Sequence, residues 1–157
     1  MNRFRFLRTF GTFWALTLSV PLLLSLPAAA QSSAVSKVRI STSVGDIEAE
    51  LYADKAPKTV ANFLQYVNDK HYDGTVFHRV IAGFMVQGGG YDAQYKERKT
   101  RAPIQHEGRQ SLAAGLKNTT GTLAMARTND PHSATSQFFI NVVDLSLIHI
   151  SEPTRRS

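Results

Sequence analysis

The sequence predicts a mainly β protein closed into a barrel or sandwich, from three observations. Short alternating or continuous apolar runs recur along the chain. Turn signals such as Gly45-Asp46, Asp73-Gly74 and Asn129-Asp130-Pro131 punctuate them. Helical periodicity is strong in only one stretch. A hydrophobic content of 43% against 19% charged residues marks a chain that can build a core.

The elements follow in order. Val38, Ile40 and Thr42 alternate with polar residues, as do Ile47, Ala49 and Leu51. With Gly45-Asp46 between them, they predict a β-hairpin with one buried face. Ala56-Pro57 opens a predicted helix, because proline needs no hydrogen-bond donor in a first turn. Val60, Phe63, Leu64 and Val67 give that helix one apolar stripe. Thr75 to Val80 and Phe84 to Gln87 read as strands, with a bend at Gly83. From Tyr91 to Arg109 the chain reads as loop, with one short strand at Ile104, and Leu112 to Leu116 as a helical turn. Gly121 to Ala126 is a strand of small and apolar residues. Gln137 to Val143 is a nearly continuous apolar run, as in a strand buried on both faces.

The N-terminus reads as an export signal, residues 1–30. Arg3, Arg5 and Arg8 precede an uncharged run from Phe10 to Leu26, and Ala28-Ala29-Ala30 supplies a small-residue cleavage site before Gln31. The alternative is an uncleaved anchor, since roughly 17 to 20 apolar residues suffice to span a bilayer. Pro21 and Pro27 interrupt the run and argue for cleavage, which would leave no stable membrane association. Removing the three arginines lowers the net charge from +6 to about +3. With no basic stripe interleaved with aromatics, nucleic acid is not an expected partner.

Several chemistries are excluded. With no cysteine there is neither a disulfide framework nor a thiolate nucleophile. Gly88-Gly89-Gly90 lacks the Lys-Ser/Thr of a phosphate loop. His71, His78, His106 and His132 are scattered without ligand spacing, so no metal or other cofactor is expected. Ser133 and Ser136 lack a nucleophile-elbow context. What remains is Arg79 in an otherwise apolar strand, followed by Phe84-Met85-Val86-Gln87. On the residues alone, the plainer reading is a surface arginine whose stem lies over apolar neighbours.

Two blocks change that reading. Phe77-His78-Arg79-Val80-Ile81-Ala82-Gly83-Phe84-Met85-Val86-Gln87-Gly88-Gly89 resembles the central motif of the cyclophilins. Gly121 to Ala126 followed by Ser136-Gln137-Phe138-Phe139-Ile140-Asn141 resembles their second signature. The similarity runs from about Val38 to Asp144, and the export signal and short loops resemble the bacterial periplasmic branch. The resemblance implies a closed eight-stranded β-barrel capped by helices, with a substrate groove outside it. It implies peptidyl-prolyl cis-trans isomerase activity on proline-containing unfolded or partly folded polypeptides, assisting folding in the periplasm. Cyclosporin-like ligands are implied for the same groove. Carried over, Arg79 matches the catalytic arginine, and Phe84, Met85 and Phe139 match the walls of the proline pocket. Gln87 and Gln137 match polar groove residues. Ala126 and Arg127 match the segment whose backbone binds substrate, although Arg127 stands where many members carry asparagine. His78 reads as structural, since amide rotation transfers no proton. Asn62 and Asn141 read as backbone-bonding residues. A non-enzymatic binder of proline-rich segments and a merely structural barrel are the competing readings.

The isomerase domain is thus expected at residues 31–144. Residues 145–157 read as a non-family tail that resembles a translated sequencing-adapter read, with a natural divergent terminus as the alternative. A barrel lacking its closing strands would expose unpaired edges, so the truncated chain is expected to fold poorly or be inactive, and the intact product to be active.

Overall fold

The computed structural model describes residues 35–145. The expected signal segment and the tail beyond Leu145 lie outside the described residues.

The predicted hairpin is present as β1 (Ser36–Thr42) and β2 (Gly45–Leu51), antiparallel, with Ile40 opposite Ile47. Its turn is Ser43-Val44, two residues before the expected Gly45-Asp46. Gly45 instead opens β2, where its positive φ of 137° suits glycine. Thr42 fixes the reversal: its hydroxyl donates to the Gly45 carbonyl at 2.6 Å and accepts from the Val44 N–H at 3.2 Å.

Helix α1 spans Pro57–Asn68 with proline in the first turn. Val60 and Phe63 are buried and Leu64 is half-buried, as the stripe predicts. Val67 is exposed, and the inward face is completed by Asn62 and Tyr66 instead. Asn62 can turn inward because its Nδ2 donates to the Thr135 carbonyl at 2.7 Å.

Four further strands form one antiparallel sheet in the order β3-β4-β6-β5. They are β3 (Arg79–Ile81), β4 (Met85–Gly88), β5 (Leu123–Met125) and β6 (Phe138–Asn141). The expected strand over Thr75–Val80 shrinks to β3, since Thr75 makes only an isolated bridge to Asp92. Ile104 likewise forms a single bridge, to Ala134. Helix α2 (Gly108–Ala113) begins four residues before the expected helical turn. Gly83, at φ 67°, makes the bend between β3 and β4.

The eight-stranded closed barrel is not observed: the described residues form six strands in two separate sheets. No described strand pairs with the outer edge of β3 or β5, and β1-β2 does not hydrogen-bond to the larger sheet. Val80, on edge strand β3, is 66% exposed.

Register divides the four-stranded sheet into two faces, because directly opposed antiparallel residues point the same way. Val80, Val86, Ile140 and Leu123 form an apolar row on one face, with Phe138 and Met125 beside them. Phe138, Leu51, Val60 and Phe63 are the buried centre, packed by Tyr72, Phe77, Leu123, Met125 and Ile140. Phe138 meets the rings of Phe63 and Tyr72 edge-on, at 5.6 and 5.5 Å. This core holds the opposite face of the sheet in place.

Candidate active site

That opposite face carries a second row: Arg79 on β3, Gln87 on β4, Phe139 on β6 and Ala124 on β5. One pleat further lie Ile81, Met85 and Asn141. The alternation that sends Phe138 into the core sends Phe139 to this face.

Arg79 is exposed and its Nη1 donates to Gln87 Oε1 at 3.5 Å. The Gln87 Nε2 donates to Gln137 Oε1 at 2.8 Å. The guanidinium therefore heads a chain of two carboxamides, with Gln87 using its acceptor on one side and its donor on the other. Gln137 is positioned by a close approach to Gly90, where a Cβ would lie 2.6 Å from the Gln137 Cγ and Cδ. Only glycine leaves room for the side chain there.

Met85 is 3% exposed and forms part of the floor of the face, whereas Phe139 is half-buried. Phe84 is half-buried in the turn before β4, with its N–H on the Ile81 carbonyl and its own carbonyl accepting from Val142 N–H, both at 3.1 Å. Ala126 is held beside the row by its backbone, its N–H donating to the Gln137 carbonyl at 2.8 Å. Arg127 follows, with Nη1 on the Thr128 carbonyl at 2.9 Å. Sheet register and hydrogen bonds thus bring together Arg79, Met85, Gln87, Gln137, Phe139 and Ala126. Phe84 and Arg127 enter through their chain neighbours.

His78 stands apart from this chain of polar groups. Its ring packs edge-on against Tyr91 at 4.6 Å, and its buried Nδ1 has no partner. Asn62 bonds to backbone as expected. Asn141 departs in detail: its side-chain Nδ2 donates to the Thr122 hydroxyl at 2.9 Å, while its backbone pairs with Gly121 and Thr122.

Two residues of structural weight went unread in the sequence. Gly90 was visible only as one of three glycines, with nothing to mark Gln137 as its neighbour. Glu107, 8% exposed, accepts from the N–H groups of Lys58 and Thr59 at 3.0 and 2.8 Å and from the Thr59 hydroxyl at 2.8 Å. It caps α1 from almost fifty residues away, where no local spacing signal exists.

The family model described as cyclophilin type peptidyl-prolyl cis-trans isomerase/CLD matches residues 37–152. The chain belongs to this family. By family, then, this cyclophilin is a peptidyl-prolyl cis-trans isomerase. It is 53% identical over 120 residues to peptidyl-prolyl cis-trans isomerase cyp18 of Streptomyces antibioticus, covering 76% of this chain and 70% of the relative. A peptidyl-prolyl cis-trans isomerase of Acinetobacter baylyi is 52% identical over 122 residues, covering 78% of this chain and 63% of the relative. The chain spans about two thirds of the length of these curated relatives. Among solved structures, a Cryptosporidium parvum cyclophilin type isomerase crystallised in the presence of the dipeptide Ala-Pro superposes with a TM-score of 0.57. It is 32% identical, and the match covers 70% of each chain.

Proposed function

We propose that this cyclophilin accelerates rotation about X-Pro peptide bonds in exported polypeptides, with Arg79 as the catalytic residue. Resonance holds the amide planar behind a barrier of about 18–20 kcal/mol, so unaided isomerisation takes tens of seconds or more. No covalent bond breaks. The enzyme has only to bind the twisted amide better than either planar form.

Twisting removes resonance and returns a lone pair to the prolyl nitrogen. A guanidinium beside that nitrogen donates to it in the twisted state and finds no such acceptor in the planar one. Gln87 holds Arg79 through its carbonyl and is itself anchored by Gln137. Phe84, Met85 and Phe139 enclose the proline ring and exclude water, which strengthens the arginine's interaction. The backbone of Ala126 and Arg127 carries the substrate chain alongside.

The observation behind this reading is the Arg79–Gln87–Gln137 chain lying on one sheet face with Met85 and Phe139. The Ala-Pro dipeptide accompanying the Cryptosporidium parvum relative supports proline-containing peptides as ligands. Export to the periplasm rests on Arg3, Arg5 and Arg8 followed by the apolar run and Ala28-Ala29-Ala30.

A spectroscopic isomerisation assay on an X-Pro peptide tests the proposal. The chain carrying a family-like C-terminus is expected to catalyse, and Arg79→Ala in that background to fold but lose about 10²- to 10³-fold in kcat/KM, as when a preorganised donor is removed. Full activity in Arg79→Ala would overturn the assignment.

A further inference from the structure

Two histidines from different loops meet next to the segment that carries Ala126 and Arg127. The backbone N–H of His106 donates to Nδ1 of His132 at 3.1 Å. This bond uses the Nδ1 lone pair as acceptor, which requires the ring proton to sit on Nε2. Its own backbone N–H donates to Asp130 Oδ1 at 2.8 Å. The His106 ring is held against the backbone of Gly108, where a Cβ would overlap it.

Both histidines join the same two stretches of chain. Two residues before His106, the Ile104 N–H donates to the Ala134 carbonyl at 3.0 Å. Within the second stretch, Thr128 N–H donates to the Ser133 hydroxyl at 2.8 Å. The His106–His132 bond is a link between the two stretches that depends on an imidazole nitrogen, while the Asp130 carboxylate bonds within the second stretch. Arg127 and His132 are the charged or titratable groups acting on His106, and Asp130 is the acid beside His132. Glu107 adjoins His106 in sequence, but its carboxylate is committed to the N-terminus of α1. Burial first, then Arg127 and His132, hold the His106 ring below the ordinary imidazole value.

We propose that His132 is a pH-sensitive latch on the substrate segment, closed when its ring is neutral and released when it is protonated. A proton on Nδ1 turns the acceptor into a donor, which then faces the His106 N–H. It also sets a second positive charge, beside that of Arg127, against His106. Both effects free the 127–133 loop, which continues directly from Ala126. Peptide binding therefore weakens on acidification. This rests on the reading that the Ala126–Arg127 backbone binds substrate.

The test pairs the backbone amide resonance of His106, followed by NMR in the full chain, with the KM for an uncharged X-Pro peptide, from about pH 8 to about pH 5. In the wild type the resonance shifts on acidification and KM rises about three- to tenfold, the scale of one hydrogen bond. His132→Asn offers a carboxamide oxygen that does not titrate, and should flatten the KM profile and, in a His106→Gln background where the ring of residue 106 no longer titrates, the profile of the residue 106 amide. His106→Gln keeps the backbone donor and should keep the KM step. An unchanged pH step in His132→Asn, or a His106 amide that does not respond, would overturn the latch. Should the chain show no isomerase activity, the amide titration and peptide binding still decide for or against the latch, and only the catalytic reading fails.

Discussion

Arg79 reaches Gln87 over 3.5 Å, whereas the Gln87–Gln137 bond is a full 2.8 Å. The carboxamide pair is therefore the tighter link of the chain and the guanidinium the looser one, as the proposed role of Arg79 requires. Gly90 sets the position of Gln137, so Gly90→Ala tests this arrangement without touching Arg79. The added methyl displaces a flexible side chain, not backbone. Urea unfolding should change by less than about 1 kcal/mol, while kcat/KM falls about tenfold as the anchor of Gln87 is lost. A stability loss of the usual core size with unaltered kcat/KM would contradict it. Arg79 was legible in the sequence only through the motif around it, since a lone arginine in an apolar run reads as surface. The Gln87–Gln137 bond was not legible, because it joins residues fifty positions apart.

At the scale of elements, the hairpin and α1 were readable because their patterns are local. The hairpin reverses at Ser43-Val44, ahead of the Gly45-Asp46 turn signal, because Gly45 uses its positive φ to open β2. In α1 the apolar stripe misjudged one turn: Tyr66 outcompetes Val67 for the interior, and its hydroxyl accepts from Arg101 N–H at 2.7 Å. The start of α1 has no side-chain cap of its own, and Glu107 takes that role. An anion at a helix N-terminus is favoured by the dipole and satisfies donors that the helix cannot. Glu107→Ala should thus destabilise the domain by about 2 kcal/mol in urea unfolding. Glu107→Gln should recover part of that, because it keeps one acceptor. A neutral effect of both substitutions would show that α1 does not depend on this cap.

Across the whole molecule, the two-faced sheet was implicit in the adjacent Phe138 and Phe139, one turned to the core and one to the site. The closed barrel came from resemblance, and the six described strands do not close. Strand count is a non-local property that no single stretch of sequence carries. The core does impose a pH dependence. His71 packs on Tyr66 and Tyr72, and its Nε2 lies 3.2 Å from the Gly89 carbonyl. Burial holds its ring below the ordinary value of 6.5, opposed by the Gly89 bond and aided by the charge on Arg98. A lowered folded pKa means that the unfolded chain takes up the proton first. Stability is then fully present above pH 6.5 and falls as the pH drops below it. His106 acts in the same direction. Thermal unfolding should show a Tm that declines on acidification, less steeply in His71→Gln and less again with His106→Gln added. A Tm that rises toward acid pH would refute this sign.

The central claim is that Arg79 acts on the twisted amide and not on the bound planar peptide. Two-dimensional exchange NMR on an X-Pro peptide measures binding and cis–trans exchange in one sample. For Arg79→Ala, binding is expected to stay within about threefold of wild type while the enzyme-driven exchange disappears. Exchange that persists at the wild-type rate, or that falls only in step with lost binding, would contradict the account.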